Sequence, residues 1–200
     1  MEPHDGRLPI VQAGDPVLRQ PALPVPVDEI ASAPIQDLID AMIRTVSGSG
    51  VGLAAPQVGV GLRVMVIEDP SEYHEQMPPE LLEAQGRFPI DRYVLVNPEL
   101  TIIDDTPVEW FEGCLSVDGY RAVVPRATAV HVRALDREGQ PFELDATGWH
   151  ARILQHEIDH LDGCLYVDRM LTRTLVDSES YSERWGGDAI DHVKALFGAD

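Results

Sequence analysis

Residues 156–160 of this 200-residue chain read HEIDH and combine two side-chain types used in metal-assisted hydrolysis. If the segment is helical, His156 and His160 lie one turn apart on the same face, so both imidazoles can reach one ion. Glu157 stands beside them and can accept a proton from a water molecule. The spacing therefore predicts a metal site that activates water.

A catalytic metal ion usually has a third protein ligand, and three interpretations are open. The extended metalloprotease pattern HExxHxxGxxH fits as far as Gly163 but has Tyr166 where its last histidine belongs. A zinc endopeptidase could instead use Glu179 or Glu183, which lie in a polar, serine-rich segment typical of a surface. Cys114 follows a strand-like run and could bring a thiolate from a neighbouring strand. A non-catalytic metal-binding protein is a further alternative.

Two helices are predicted to position these residues. Apolar residues recur at three and four positions from residue 34 to residue 46, which indicates an amphipathic helix that ends at the SGSG of residues 47–50. A second helix is predicted from residue 147 or 148 to residue 162, with Gly163 as its C-cap. On this helix an apolar and imidazole stripe is formed by Trp149, Ile153, His156 and His160.

The rest of the chain indicates strands and loops. Strands are predicted at residues 64–67, 93–96, 100–103 and 108–111, and a hairpin is predicted from 129–135 and 142–144. Residues 69–92 are predicted to form a long acidic loop, residues 1–33 a proline-rich arm, and residues 188–197 a short helix. Because the strands and helices do not alternate as βαβ units, the predicted fold class is α+β.

Length and charge limit the class of protein. A chain of 200 residues suits a single domain, which we place at residues 1–200. Fifteen Lys and Arg against 34 Asp and Glu leave a formal charge of −19, which argues against direct nucleic-acid binding because phosphates are bound by cations. No apolar run is long enough for a membrane span, and the first residues lack the pattern of a signal peptide. We therefore expect a cytoplasmic protein without a membrane partner.

Three segments resemble the signature motifs of the peptide deformylase family, in that family's order. They are residues 50–57 (GVGLAAPQ), 112–116 (EGCLS) and 156–160 (HEIDH). The resemblance covers a core of about residues 8–171 and leaves an acidic tail at 177–200. It implies a fold in which short antiparallel strands surround a central helix that carries HEIDH. It also implies removal of the formyl group from the N-terminal formylmethionine of newly made peptides, with release of formate.

The resemblance also implies roles for individual residues. The metal ligands would be Cys114, His156 and His160. Glu157 would carry a proton from water to the leaving amine, and the Gln57 amide and the Leu115 backbone N–H would donate to the developing oxyanion. One divalent ion per chain is implied, with Fe(II) expected natively and Zn, Ni or Co found in purified protein according to handling.

Substrate contacts are implied at Gly50, Val51, Gly52, Glu112, Gly113, Trp149 and Ile153. Gly50 and Gly52 lack a Cβ atom, so a peptide backbone can lie close to them and bind as an added strand, although Gly50 could equally serve to end a helix. Val51, Trp149 and Ile153 would form the pocket for the methionine side chain, with Trp110 more loosely placed; for the tryptophans ordinary core packing is the alternative. Arg126 and Asp159 are expected to form an ion pair, either structural or supporting the metal ligands.

The resemblance identifies N-formylmethionyl nascent peptides as the partners of this chain. Bacterial members of the family often carry a basic C-terminal helix thought to approach the ribosome. Here residues 177–200 are acidic, which argues against ribosome docking through the tail. We expect a monomer or a weak dimer.

Overall fold

The computed structural model describes residues 6–75, 77–187 and 189–199. Its helices are α1 (Ala33–Val46), α2 (Pro79–Gln85), α3 (Gly148–Leu161), α4 (Ser178–Ser180) and α5 (Ile190–Phe197). Its strands are β1 (Gly52–Ala54), β2 (Val64–Asp69), β3 (Ile90–Cys114), β4 (Val117–Leu135), β5 (Pro141–Thr147) and β6 (Val176–Asp177). The sheet order is β1-β2-β3-β4-β5, with β6 on β4, and these pairings are all antiparallel. The predicted α+β class is confirmed.

Both predicted long helices are present. Helix α1 buries Ile39, Met42 and Val46 against the side of the sheet formed by β1 and β2. Helix α3 contacts β1, β2, β3, β4 and β5 and buries Leu154 and Leu161 completely. None of the helices in the described ranges is long and apolar enough to cross a membrane.

The three short strands predicted between residues 93 and 111 are wrong as separate elements, because β3 runs through all of them. Its pairing with β4 changes register between Val96 and Glu99 and again between Ile102 and Pro107. Such irregularities bend a strand without ending it, and Pro98 falls inside the first of them. The residues between the three predicted strands therefore mark bends in one long hairpin.

The predicted loop at residues 69–92 is also wrong in part, since it contains α2 and the first residues of β3. Pro79 stands in the first turn of α2, where its missing N–H has no helical partner to lose. Gly86 ends the helix with a φ of 54°. Helix α2 abuts the start of α3, where a Cβ on Gly148 would lie 2.8 Å from the carbonyl oxygens of Gln85 and Gly86.

The terminal segments agree with their predicted character. The described part of the N-terminal arm contains two 3-10 turns, Pro16–Arg19 and Val27–Glu29, and no long helix. The predicted C-terminal helix is confirmed from Ile190 to Phe197, while residue 188 lies outside the described residues. The hairpin predicted at residues 129–144 is formed by β4 and β5.

Candidate metal centre

The two histidines of α3 meet Cys114, the last residue of β3. One ligand atom from each of Cys114, His156 and His160 lies within 4.8 Å of the others, and Cys114 Sγ is 3.2 Å from His160 Nε2. One sulfur and two imidazole nitrogens form a donor set that suits zinc or ferrous iron. These three residues, called the triad below, fit a divalent metal ion.

The competing third ligands do not join the triad. Glu179 lies in α4 and Glu183 in the π-helical segment Tyr181–Trp185 that follows it, and both are exposed. Among the described residues, neither lies close enough to the two histidines to share an ion with them. Tyr166, where the extended protease pattern requires histidine, stacks its ring on that of His156, with centroids 6.3 Å apart. The structure thus favours the cysteine among the three alternatives.

Glu112 orients one of the two histidines, His156. Its carboxylate accepts two hydrogen bonds of 2.9 Å from Arg126 and one of 2.6 Å from Arg152, and it lies 2.8 Å from His156 Nδ1. Burial disfavours the ionised form, but the charge and hydrogen bonds of Arg126, together with those of His156, outweigh burial and hold the pKa of Glu112 well below its ordinary value. With Nδ1 engaged, Nε2 is the ring nitrogen that His156 can offer to an ion.

A second buried carboxylate extends this network. Asp159 accepts a 2.5 Å hydrogen bond from Arg126 Nη1 and two 2.7 Å hydrogen bonds from Arg169. The expected Arg126–Asp159 ion pair is confirmed. Sequence reasoning missed Arg152 and Arg169. A signal existed for Arg152, which lies one turn before His156 on the same helix face and is buried there, where an arginine needs a carboxylate partner.

Glu157 has a different environment. It is buried, and its Oε2 atom has no hydrogen-bond partner among the described residues. Burial raises the pKa of Glu157 to about 7, despite the nearby positive charge of His156. A Cβ on Gly52 would lie 2.4 Å from Glu157 Oε1, so only glycine at this position leaves room for the carboxyl group. The arrangement provides an acid that can gain or lose a proton near neutral pH.

The pKa values of His156 and His160 are shifted in opposite directions. Burial lowers the pKa of His160 well below its ordinary value, and the positive charge of His156 adds to the effect. Burial acts in the same direction on His156, but hydrogen bonds to Cys114 and Glu112 outweigh it and raise that pKa. A bound ion competes with a proton for the imidazole lone pair, because metal ligation requires the neutral ring.

Gln57 and Leu115 flank the cysteine. The Gln57 side chain is almost completely buried, and its Oε1 accepts a 2.8 Å hydrogen bond from the Ala54 backbone N–H. This contact turns the amide NH₂ toward Cys114, with Nε2 3.5 Å from Sγ. Leu115 follows Cys114 directly, and its side chain would be 3.4 Å from a Cβ on Gly50. The Gln57 amide NH₂ can therefore reach an atom bound beside the cysteine.

A cleft of about 470 Å³ opens at the triad. All of the residues implied as substrate contacts line it: Gly50, Val51, Gly52, Glu112, Gly113, Trp149 and Ile153. Trp110 also lines it. The carboxylate of Glu112 already makes hydrogen bonds with Arg126, Arg152 and His156, so this side chain holds neighbouring groups of the cleft in place.

Two further walls of the cleft were missed by sequence reasoning. One is formed by residues 77–87. Arg87 of this wall donates hydrogen bonds of 2.7 and 2.8 Å to the carboxylate of the fully buried Asp69. Arg87 in turn lies over the Trp149 ring at 5.1 Å from its centroid. The other wall includes Tyr181 and Trp185 near the C-terminus. Part of residues 69–92, the segment predicted to be a long acidic loop, thus lines the cleft.

Comparisons with known proteins agree with this geometry. Residues 7–175 match the family model described as polypeptide deformylase. Chloroplastic peptide deformylase 1A of Solanum lycopersicum is 51% identical over 166 residues, which are 82% of this chain and 60% of that protein. Peptide deformylase 3 of Streptomyces avermitilis is 45% identical over 194 residues, which are 96% of this chain and 84% of that protein. This chain therefore spans less than two thirds of the plant relative.

A solved structure shares the fold. The class I type b peptide deformylase of Acinetobacter baumannii, with Met-Ala-Ser bound, has a TM-score of 0.72 and 36% sequence identity. The match covers 82% of this chain and 98% of that one. The family model covers most of the present chain, including the three motifs that form the candidate metal centre. The chain belongs to the polypeptide deformylase family.

Proposed function

We propose that this protein is a metal-dependent hydrolase that removes the formyl group from the N-terminal formylmethionine of newly made peptides and releases formate. The observation that carries the proposal is the triad of Cys114, His156 and His160 beside the buried, unpartnered Glu157, in a chain of the deformylase family. The A. baumannii relative binds Met-Ala-Ser, a peptide that begins with methionine as a deformylated product does.

The triad holds one divalent ion per chain in this proposal. Such an ion supplies a Lewis acid that makes water a better nucleophile near neutral pH. The donor set suits Fe(II) and Zn(II) alike, and we propose Fe(II) in the cell, with Zn, Ni or Co entering during purification. The Glu112 carboxylate orients His156, which supports ligation through Nε2.

Glu157 moves the proton. Its Oε2 atom accepts a proton from the attacking water and passes it to the amine nitrogen as the formyl C–N bond breaks, which leaves formate and a free N-terminus. A pKa of about 7 supports both halves of this role, because the carboxyl group is then neither firmly ionised nor firmly protonated at neutral pH. The space that Gly52 leaves beside Oε1 lets the carboxyl group lie at the cleft.

The oxyanion that develops on the formyl carbon is stabilised by two donors. The Gln57 amide NH₂ is held toward Cys114 by the bond from Ala54, so it is oriented before substrate arrives. The Leu115 backbone N–H, one residue after the cysteine, is the second donor. Preorganised donors of this kind contribute strongly because they need no reorientation during the reaction.

The peptide lies along the glycines of the cleft. Gly50, Gly52 and Gly113 line it and allow close approach of a substrate backbone. The methionine side chain enters the apolar part formed by Val51, Trp149 and Ile153, all on or against α3. Helix α3 is, in this proposal, the central helix of the catalytic domain, because it supplies both histidines, Glu157 and one side of this pocket.

The wider context is also proposed. Residues 1–200 form a single catalytic domain with a core at about 8–171, acting on nascent peptides in the cytoplasm as a monomer or weak dimer. The acidic tail from residue 177 argues against ribosome docking through it. Cell fractionation, sizing of the purified protein and co-sedimentation with ribosomes test these three points.

One assay separates the proposed function from its rivals. The protein is incubated with a formyl-Met-Ala-Ser peptide and with a longer unformylated peptide, and formate and cleavage products are measured. Formate release without internal cleavage is expected. Internal cleavage would instead indicate the endopeptidase alternative, and neither product would indicate a non-catalytic metal-binding protein.

The metal is tested separately. Protein purified without oxygen is expected to contain iron and to lose activity in air, because a redox-active ion would lie beside the oxidisable sulfur of Cys114. Metals are counted and deformylation is measured before and after exposure. Iron-free protein that is as active as the iron form and indifferent to air would contradict the iron proposal and favour zinc.

A further inference from the structure

The cleft extends beyond the part of the chain that defines the family. The family match ends at residue 175, yet Tyr181 and Trp185 line the same cleft as Cys114 and Glu157. Both belong to what we call the tail segment, residues 176–187 and 189–197. The tail segment is therefore part of the cleft wall, a role that its acidic composition gave no reason to expect.

The tail segment is firmly attached beside the cleft. Strand β6 pairs with β4, where Val176 lies opposite Arg121. Val193 of α5 is fully buried in a small cluster that it shares with Phe111 of β3 and Val123 of β4. Lys194 Nζ lies 2.7 Å from a carboxylate oxygen of Glu109 on β3. These contacts hold the tail in a defined place, as a binding surface requires.

Two aromatic side chains of the tail segment face the cleft. The Tyr181 ring packs edge-on against Phe111, with centroids 5.0 Å apart, and the Arg121 guanidinium lies 4.8 Å from its centre. The Trp185 ring packs against Phe197 at 5.2 Å. Neither ring is fully buried, so each keeps apolar surface available at the cleft.

The position of this aromatic wall can be measured along β3. Phe111, which touches Tyr181, comes three residues before Cys114 on the same strand. Three residues of extended chain cover about 10 Å. A peptide that binds as an added strand alongside β3, running from the triad toward Phe111, advances by the same amount per residue, so its third residue reaches the level of Tyr181.

We propose that Tyr181 and Trp185 form a subsite for the third residue of the peptide substrate and favour an apolar or aromatic side chain there. The inference rests on the proposed deformylation, because the formyl group sets the register of the peptide. Burial of an apolar side chain against the two rings stabilises the bound peptide and its transition state alike. The preference is therefore expected mainly in KM, on the order of tenfold in kcat/KM.

Three substrates and four proteins test the subsite. The peptides are formyl-Met-Ala, formyl-Met-Ala-Ala and formyl-Met-Ala-Phe, and the proteins are the wild type, Tyr181→Ala, Trp185→Ala and the control Leu196→Ala. Leu196 lies on α5 with 58% of its surface exposed and does not line the cleft. In the wild type and the control, the Phe peptide is expected to exceed the Ala peptide about tenfold in kcat/KM. In the two cleft variants that ratio should fall toward one.

The remaining outcomes contradict the inference in different ways. An unchanged Phe-to-Ala ratio in both cleft variants overturns it, and so does an equal loss on all three peptides, which indicates a structural role only. A wild-type protein that releases no formate from any peptide refutes the proposed function instead. Calorimetry with unformylated Met-Ala-Phe then still tests the subsite: weaker binding by Tyr181→Ala supports it, and equal binding overturns it.

Discussion

Glu112 and Glu157 are both buried beside His156, but their carboxylate oxygens have different partners. Glu112 belongs to a network in which Arg126 and Arg152 donate hydrogen bonds to its oxygens. Burial opposes ionisation, but Arg126 and His156 outweigh it and lower the pKa of Glu112. On the cleft side, Glu157 keeps an oxygen without a partner in the described structure, and burial raises its pKa to about 7. The same residue type is thus a fixed charge in one region and a labile proton in the other.

This difference indicates which region is built for stability and which for chemistry. A buried carboxylate that is fully paired holds geometry, and removing its partner leaves a costly unpaired charge. A buried carboxyl group without partners costs stability and is retained where a proton must move. Substitutions in the network of Glu112, Arg126 and Asp159 should therefore lower mainly the free energy of unfolding. Substitutions around Glu157 should lower mainly the rate of turnover.

The largest effect is expected at Cys114, where the two regions meet. Cys114→Ala removes the thiolate of the triad, so the ion and all measurable activity should be lost together. Metal content by elemental analysis and formate release measure both. The matched control is Cys164→Ala, because Cys164 is a partly buried cysteine outside the group of ligand atoms. If the Cys114→Ala protein keeps its metal, Cys114 is not a metal ligand.

A large loss of stability is expected within the network. Asp159→Asn leaves the buried Arg126 with one carboxylate instead of two and weakens the contact to Arg169. Breaking a buried pair in this way costs about 3–5 kcal/mol in the free energy of unfolding. Chemical denaturation measures the change. A loss below about 1 kcal/mol would mean that the network does not differ from a surface ion pair.

A large loss of turnover with the metal retained is expected on the cleft side. Gln57→Ala removes a side-chain donor held toward Cys114, so kcat should fall about 100- to 1,000-fold while metal content stays as in the wild type. The free energy of unfolding should fall by about 1–3 kcal/mol, because the buried Ala54 backbone N–H loses its acceptor. The control is Gln20→Ala, at an exposed glutamine of the N-terminal arm. Equal rates for the two variants would exclude Gln57 from oxyanion stabilisation.

The smallest effect is expected at an exposed ion pair. Asp168 pairs with Arg19, and their side chains are 39% and 45% exposed, so Asp168→Asn should cost less than about 1 kcal/mol and less still in high salt. Burial is the largest single contribution and opposes the shift, but the hydrogen bonds from Arg19 and from the Leu165 backbone N–H together lower the pKa of Asp168. The folded pKa lies below the unfolded value of about 3.9, so this contribution is complete above pH 4 to 5 and is lost on further acidification. Urea titrations at several pH values measure it; a large, salt-independent loss would contradict the contrast with Asp159.

The elements that bring the site together could be predicted because their signals are local. The helical period around His156 and the glycine that ends α3 are read from neighbouring residues. The position of Cys114 beside the histidines is different in kind: its assignment required the family's motif order, since the residues alone left Glu179 and Glu183 open. The structure brings the cysteine to the histidines and leaves both glutamates exposed.

The contacts that could not be predicted depend on long-range pairing. The contact of Glu112 with substrate stays a prediction. Arg126 pairs opposite Val108 and not opposite Glu112, so the hydrogen bonds between their side chains depend on tertiary packing that the sequence does not reveal. Helix α2 was hidden by prolines that also suit a loop. The wall formed by Tyr181 and Trp185 depends on the docking of a polar, acidic segment through β6 and a few apolar residues, which composition does not reveal.

The central claim is that Glu157 carries the proton and does not hold the fold or the metal. Glu157→Gln keeps the size of the side chain and the three ligands, so the variant should bind the same amount of metal per chain and unfold at the same or a higher denaturant concentration. Formate release from formyl-Met-Ala-Ser should fall about 100- to 10,000-fold. Metal content and turnover measured on one preparation decide the matter. Loss of the metal together with activity, or turnover close to that of the wild type, would contradict the account.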